Sequence, residues 1–392
     1  MKNIIANILK TLYRLGAHVI PIRKNVILFE SSVGRNYSGN PRYIYEELVR
    51  QGKDKKYHCV WIFENPNVKL PGNCVKVKRA RLKYLYYMIV AKVWVFDCRQ
   101  PMYLIKRSKT TYIQTWHGTP LKKLALDMDL LDMDGSQDIK QYHDEFRENT
   151  KTWDYLLAQN KYSQDIFRRC FAFEDKPILE GGYPRNDILI RRNSEKNIVH
   201  LKKKLGLPMD KKIILYAPTW RDNETYGNGR YQFASKIDFK KLQEQLQDEY
   251  VFIVKYHYLV SDKIDWSPYK DFVYQFDETR DIALLYLVSD ILITDYSSVM
   301  FDYSILKRPM LFFAYDLEYY RENLRGFYFD FLEEAPGPIS RTNDELIRDI
   351  REYDSSKWKE KYEIFSNKYN KHEDGKAANR VIAVIDHAVI GG

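Results

Sequence analysis

The chain has 392 residues, 45% of them hydrophobic and 30% charged, which is room for roughly two domains and excludes a disordered chain. Its formal net charge of +10 points to an anionic partner: nucleic acid, an anionic membrane surface or a phosphorylated substrate. The four cysteines, Cys59, Cys74, Cys98 and Cys170, form no C-x-x-C pair; this excludes zinc-ribbon spacing and a disulfide scaffold and suits a reduced cytoplasmic setting.

Residues 3–16 predict a helix. Ile4, Ile5, Ile8, Leu9, Leu12 and Leu15 share one face, Lys2, Lys10 and Arg14 decorate the rest, and Gly16 and Pro21 close it. Such a helix either lies in an anionic lipid interface or packs on the body of the protein. No run approaches the roughly 20 apolar residues that a spanning helix requires, and no signal-peptide pattern is present.

From about residue 25, short apolar runs alternate with helical stretches. Strands are expected at 26–29, 59–63, 75–77, 92–96, 111–114 and 155–158, with a helix from about 42 to 51. A second set follows the charged stretch 191–204: strands at 213–216, 251–254, 291–294 and 310–313, a polar helix at 238–248, and helices from about 343 to 390. Short buried strands separated by helices imply parallel sheets covered on both faces. The expectation is an α/β protein with two doubly wound domains facing a cleft. The amphipathic helix takes residues 1–21, a first doubly wound domain 22–200, and a second 201–392 that ends in the C-terminal helices. One further stretch, Lys76, Lys78, Arg79, Arg81 and Lys83 beside Leu82, Leu85, Tyr86, Tyr87, Met88 and Ile89, fits either a headgroup interface or a helix that covers the sheet.

Ligands in such folds bind outside the carboxyl ends of strands, and four segments fall there. In the first, the strand 111–114 runs into Thr115-Trp116-His117-Gly118-Thr119-Pro120. Thr119-Pro120 predicts a helix start, which would place His117 near a positive helix end. Imidazole titrates near neutrality and suits proton abstraction from an attacking hydroxyl. In the second, Lys255-Tyr256-His257-Tyr258 follows the strand 251–254. In the third, Thr294-Asp295-Tyr296-Ser297-Ser298 leads into an apolar helix, whose N-terminal N–H groups and hydroxyls would suit an anion. The fourth comprises two Pro-directed turns, Gly182-Tyr183-Pro184-Arg185-Asn186-Asp187 and Tyr216-Ala217-Pro218-Thr219-Trp220-Arg221; Arg185 and Arg221 can each grip phosphate in a bidentate manner. Phosphate-binding P-loop and dinucleotide fingerprints are absent from the sequence. The acidic run Asp127, Asp129, Asp132, Asp134 lacks EF-hand spacing. No nucleic-acid motif is apparent.

The His117, Pro184-Arg185, Pro218-Thr219 and Asp295–Ser298 segments, in this order, resemble the CDP-glycerol glycerophosphotransferase family of teichoic acid synthesis. That resemblance implies a GT-B-like fold of two Rossmann-like domains. It also implies attachment to the cytoplasmic face of the bacterial membrane, an undecaprenyl-linked acceptor, and CDP-glycerol or CDP-ribitol as donor. It places functional histidines at His117 and His257. On this reading His117 takes the acceptor proton, with Trp116, Gly118 and Thr119 on the acceptor side. His257 stabilises charge on the transferring phosphoryl group. Thr219, Arg221, Lys255, Thr294, Asp295, Ser297 and Ser298, together with Arg185, hold the donor. Lys2, Ile4, Ile8, Lys10, Leu12 and Arg14 meet the membrane. The short sequence before the first sheet favours a priming or short-chain transferase. No cofactor is called for, no metal ligand is assigned, and a divalent-metal requirement stays open. The competing readings are a ribitol phosphate transferase or polymerase, a sugar transferase of the same fold, and a non-catalytic basic membrane-binding module.

Overall fold

The structure, a computed structural model, describes residues 2–129, 138–219, 225–227, 230–231, 236–256, 265–277, 280–318 and 326–391. The chain packs as two compact units. Unit 1 comprises residues 1–117, 143–187 and 372–392, and unit 2 comprises 118–142 and 188–371.

Unit 1 is built on a seven-stranded parallel sheet of order β3-β2-β1-β4-β5-β6-β7. The strands are β1 Arg23–Glu30, β2 His58–Phe63, β3 Cys74–Lys78, β4 Ala91–Phe96, β5 Thr111–Gln114, β6 Tyr155–Ala158 and β7 Ile178–Glu180. The central strands are apolar on both faces because helices cover both, as parallel sheets require. Helix α2, Gly39–Arg50, buries Ile44 and Leu48 against Ile27, Phe29 and Val93. The closing helix Ala377–Ile390 adds Val381, Ile382 and Ile385 to the same cluster.

Unit 2 holds a six-stranded parallel sheet of order β12-β11-β8-β13-β14-β15. Its strands are β8 Lys212–Tyr216, β11 Tyr250–Val254, β12 Val273–Gln275, β13 Ile291–Thr294, β14 Met310–Phe313 and β15 Ile339–Ser340. A two-stranded antiparallel piece, β9 Thr225–Gly227 with β10 Arg230–Tyr231, lies between β8 and β11 in sequence. Ile214, Phe252, Ile293 and Leu311 pack with Phe239, Leu242 and Leu346 from covering helices.

The ten expected strands are all present. The edge strands β7, β12 and β15 were not foreseen, since two or three residues cannot show a periodicity. The expected boundary at residue 200 differs from the packing, in which the chain leaves unit 1 at Asp187. The closing helix returns to unit 1 because its apolar face completes the β1–β4 core. Its first turn is tied there by the buried carboxylate of Asp187, which accepts the backbone N–H groups of Ala377 and Ala378 at 2.9 Å each.

Helix α1, Lys2–Val19, continues past Gly16, where an added Cβ would come within 3.0 Å of Ile89 Cδ1. The close approach sets α1 on helix α3, Leu82–Val90. Tyr13 and Ala17 are buried, and the Tyr13 hydroxyl accepts the Ile105 N–H at 3.1 Å. Among the described residues no helix is long and apolar enough to cross a membrane.

Replacing Asp187 with alanine strands two buried N–H donors at the start of the closing helix. The expected cost is about 1–2 kcal/mol, read as a lower midpoint in chemical denaturation with helix content retained below it. An unchanged midpoint would contradict the tie.

Candidate functional site

Parallel strands end together, so β4 and β5 bring Phe96 and Gln114 into register and place residues 97 and 115–117 side by side. Thr115 N–H extends the ladder to Phe96 O at 2.8 Å. The chain then turns through Trp116, whose φ of 51° is left-handed and uncommon for a bulky residue. Three contacts hold the turn. Gln114 Oε1 accepts the Trp116 N–H at 3.0 Å. The Trp116 ring packs on Phe167 and Phe171. Asn40 Nδ2 donates to the carbonyls of Thr115 and Trp116 at 3.1 and 3.2 Å.

The turn delivers His117, stacked on Trp116 with ring centroids 4.4 Å apart. His117 Nδ1 lies 3.0 Å from the Asp97 carbonyl oxygen. A carbonyl only accepts, so Nδ1 carries the proton and Nε2 is the basic nitrogen. The residue keeps exposed surface, while the density of protein around it strips hydration from the charged form. That desolvation holds its pKa below the usual 6.5; the Asp97 carbonyl opposes the shift and the charge of Arg185 adds to it. His117 is therefore neutral, and able to accept a proton, at neutral pH.

Behind it, Asp97 is enclosed, with Oδ1 accepting the Ser32 N–H at 2.9 Å. Burial pushes its carboxyl up to about 7; hydrogen bonds from Cys98 and Ser32 pull the other way, and neighbouring Glu30 adds to the rise. Glu30 itself is paired with Arg79 at 2.7 Å and with Gln100 at 2.8 Å. Burial still raises its pKa, against the charge of Arg79.

The expected helix start at Thr119-Pro120 is not there. Residues 118–124 run without helix; their backbone is engaged elsewhere in unit 2. Lys122 bridges Phe327, Lys123 N–H reaches Gly326 O, and Tyr328 N–H reaches Leu121 O. No helix therefore starts directly after His117. Gly118 and Thr119 fall in unit 2, whereas Trp116 and His117 fall in unit 1.

Arg185, expected with the donor group, lies in unit 1, where its guanidinium donates to the His117 carbonyl. Its backbone N–H donates to Asn40 Oδ1 at 3.2 Å.

In unit 2, β8 and β13 are neighbours, and their carboxyl ends bring Thr219, Thr294 and Asp295 together. Thr294 Oγ1 donates to Ala217 O at 2.7 Å, and Asp295 Oδ1 accepts the Thr219 N–H at 2.8 Å. Asp295 and Thr294 are buried. They brace the loops, while Ser297 and Ser298 follow on the same strand end, half-buried. The helix they lead into, Val299–Tyr303, has only five residues, and the Ser298 hydroxyl does not cap it. Lys255 follows β11, with Nζ donating to the Asp277 carbonyl at 2.9 Å. His257 and Arg221 lie outside the described residues. Among the described residues no group of three or more His, Cys, Asp or Glu could hold a metal ion.

Asn40 and Asp97 escaped the sequence reading. Asp97 directly follows an apolar strand, a position where a carboxylate merits notice. Asn40 stands between glycine and proline at a strand-to-helix connection, a pattern shared by many loops.

A family profile described as CDP-glycerol:poly(glycerophosphate) glycerophosphotransferase matches residues 11–387. The chain is 46% identical over 367 residues to a teichoic acid poly(glycerol phosphate) polymerase of Bacillus spizizenii, covering 93% of this chain and 92% of that one. It is 42% identical to a teichoic acid glycerol-phosphate transferase of Staphylococcus aureus, covering 92% and 93%. It spans about half, 52%, of the corresponding Bacillus subtilis polymerase. Among solved structures, the wall teichoic acid polymerase TagF superposes with a TM-score of 0.92 at 42% identity, covering 99% of this chain and 95% of that one.

Asp97 supplies a test of the buried strand end. A carboxyl whose folded pKa is raised favours folding fully below its unfolded value of 3.8, and that stability is lost as pH rises toward about 7. Asp97→Asn removes the titration and keeps the shape. Its melting temperature relative to the parent protein should climb between pH 4 and pH 7, and a difference that stays flat over this range would refute the shift.

Proposed function

Because the chain belongs to the CDP-glycerol:poly(glycerophosphate) glycerophosphotransferase family, we propose that it moves glycerol phosphate from CDP-glycerol to a hydroxyl of an undecaprenyl-diphosphate-linked acceptor, releasing CMP. The enzyme class itself, a CDP-glycerol glycerophosphotransferase of teichoic acid synthesis, follows from that membership. The observation that carries the chemistry is the bond between His117 Nδ1 and the Asp97 carbonyl. It leaves Nε2 as the base. The acceptor oxygen attacks the phosphorus that bears glycerol, its proton passes to Nε2, and the bond to the CMP oxygen breaks. Arg185, beside His117, offers positive charge to the transferring group.

Thr219, Thr294, Asp295, Ser297, Ser298 and Lys255 form the donor side of this reading. Asp295 and Thr294 set the loops, and the two serines offer hydroxyls and N–H groups to the diphosphate. Support for the donor comes from the family and from a TagF variant solved after a CDPG soak. A GT-B-type fold belongs to the same proposal, supported by two parallel sheets in two units. The roles of Arg221 and His257 rest on the sequence alone.

Repeated addition is favoured over priming. A polymerase of comparable length is 46% identical, so shortness of the chain does not mark a primase.

His117→Ala should lose about 10²–10⁴-fold in turnover while melting as the parent does. The parent rate should hold through neutral pH and fall only as pH drops below 6.5, since the folded imidazole titrates lower than usual. CMP release should be greater with CDP-glycerol than with CDP-ribitol, and no UDP should be released from UDP-sugars. Mass spectrometry of the product should show more than one added unit. Near-normal turnover of the variant, or equal use of ribitol, would overturn the corresponding part.

Attachment to the cytoplasmic face of an anionic membrane is the second part of the proposal. Leu12, Leu15 and Val19 on α1 are 59%, 59% and 81% exposed, and Leu82 on α3 is 69% exposed. Lys10, Arg14, Arg81 and Lys83 neighbour them in sequence. Apolar side chains flanked by cations suit a headgroup interface. Removing residues 1–20 should reduce sedimentation with anionic liposomes, and raised salt should weaken binding of the full chain. Equal sedimentation after truncation would place the anchor elsewhere.

A further inference from the structure

Asn40 is 1% exposed, and its amide serves three backbone groups in two segments that are far apart in sequence. Nδ2 donates to Thr115 O and Trp116 O, and Oδ1 accepts the Arg185 N–H. The Arg185 guanidinium donates in turn to His117 O. The contacts close a ring: Asn40 to the Trp116 carbonyl, along the chain to His117, across to Arg185, and back to Asn40. The ring is itself anchored. Gly39 has a φ of 63°, and a Cβ there would lie 3.2 Å from Asp97 Oδ2. Asp97 is the residue whose carbonyl holds the imidazole.

Both carbonyls that Asn40 engages belong to the turn whose Trp116 is left-handed. A non-glycine residue persists in that region only when its surroundings hold it there. Without the two amide donors the turn has a lower-energy route open, and any relaxation moves His117 off Asp97 O. Loss of the Oδ1 acceptor frees the Arg185 backbone at the same time. One side chain thus governs both groups that face the transferring phosphoryl.

We propose that Asn40 is a positioning residue for the transfer, fixing His117 Nε2 and the Arg185 guanidinium in one rigid frame and acting on the reaction only through them. It rests on the assignment of His117 as base. Asparagine is the residue this position needs. Alanine offers no donor, and aspartate keeps the volume but turns an acceptor toward two carbonyls.

The test uses the full chain with CDP-glycerol and a lipid-linked acceptor, measuring kcat and KM for Asn40→Ala, Asn40→Asp, His117→Ala and the His117→Ala/Asn40→Ala double variant, with a melting curve for each. Asn40→Ala and Asn40→Asp should each lower kcat about 10–100-fold, the scale of an ångström-level misplacement. KM for CDP-glycerol should stay within about threefold, and the proteins should remain folded at the assay temperature. The isosteric aspartate keeps the test decisive where alanine fails to fold. The double variant should be no slower than His117→Ala alone, because residues that act as a unit do not add. Turnover of Asn40→Asp near that of the parent, with His117→Ala inactive, overturns the inference and leaves the base assignment standing. So does a double variant slowed by the product of the two single effects. Near-normal turnover of His117→Ala overturns the base assignment and this inference with it.

Discussion

A parallel sheet leaves the backbone at its carboxyl edge without ladder partners, and in unit 1 the carbonyl of Asp97 is one such group. It lies one residue beyond β4 and finds its donor in His117 Nδ1. A buried carbonyl without a donor carries a penalty comparable to a lost hydrogen bond. One contact therefore satisfies the strand end, orients the imidazole and selects its tautomer. The rest of the neighbourhood keeps that contact in place. Gln114 and Asn40 hold the Trp116 turn, Phe167 and Phe171 pack its ring, and Asp97 pins the Ser32 loop.

Unit 2 solves the same edge problem with different residues. Thr294 and Asp295 at the end of β13 reach across to Ala217 and Thr219 beyond β8. In both units a residue just past a strand braces the loop of the next strand in the sheet. The braces are buried, whereas the side chains proposed to meet a ligand, His117 in one unit and Ser297 and Ser298 in the other, retain surface. The division follows from burial: a group that must stay put can be enclosed, and a group that must meet substrate cannot.

The sheet cores were legible because their residues are apolar on both faces, as in 26–29, 93–96 and 291–294, and such runs mean the same thing anywhere in a chain. The placement of His117 just beyond a strand end was legible, because the apolar run 111–114 before it marks the strand. Asn40 was not, because its importance lies in contacts with residues 75 and 145 positions away, which no local window contains. Thr119-Pro120 misled for a related reason. Its helix-start signal is genuine locally, but the backbone groups of 121–123 bond to Gly326, Phe327 and Tyr328 instead, and tertiary pairing overrides a local preference. Arg185 shows a third limit: a phosphate-suited arginine can be picked out from its turn, but the turn does not say which sheet it joins.

The route of the chain has a consequence for biogenesis. Domains made on the ribosome ordinarily fold in order, the earlier one first. Here the route of the chain works against that order. The core of unit 1 lacks Val381, Ile382 and Ile385 until the helix Ala377–Ile390 has been synthesised, and that helix follows every residue of unit 2 in the chain. Unit 1 thus cannot complete its core before the whole of unit 2 has been made, and until then helix α2 gives its β1–β4 face only part of its cover. Docking of the closing helix, tied by Asp187, is the step that completes the core of unit 1.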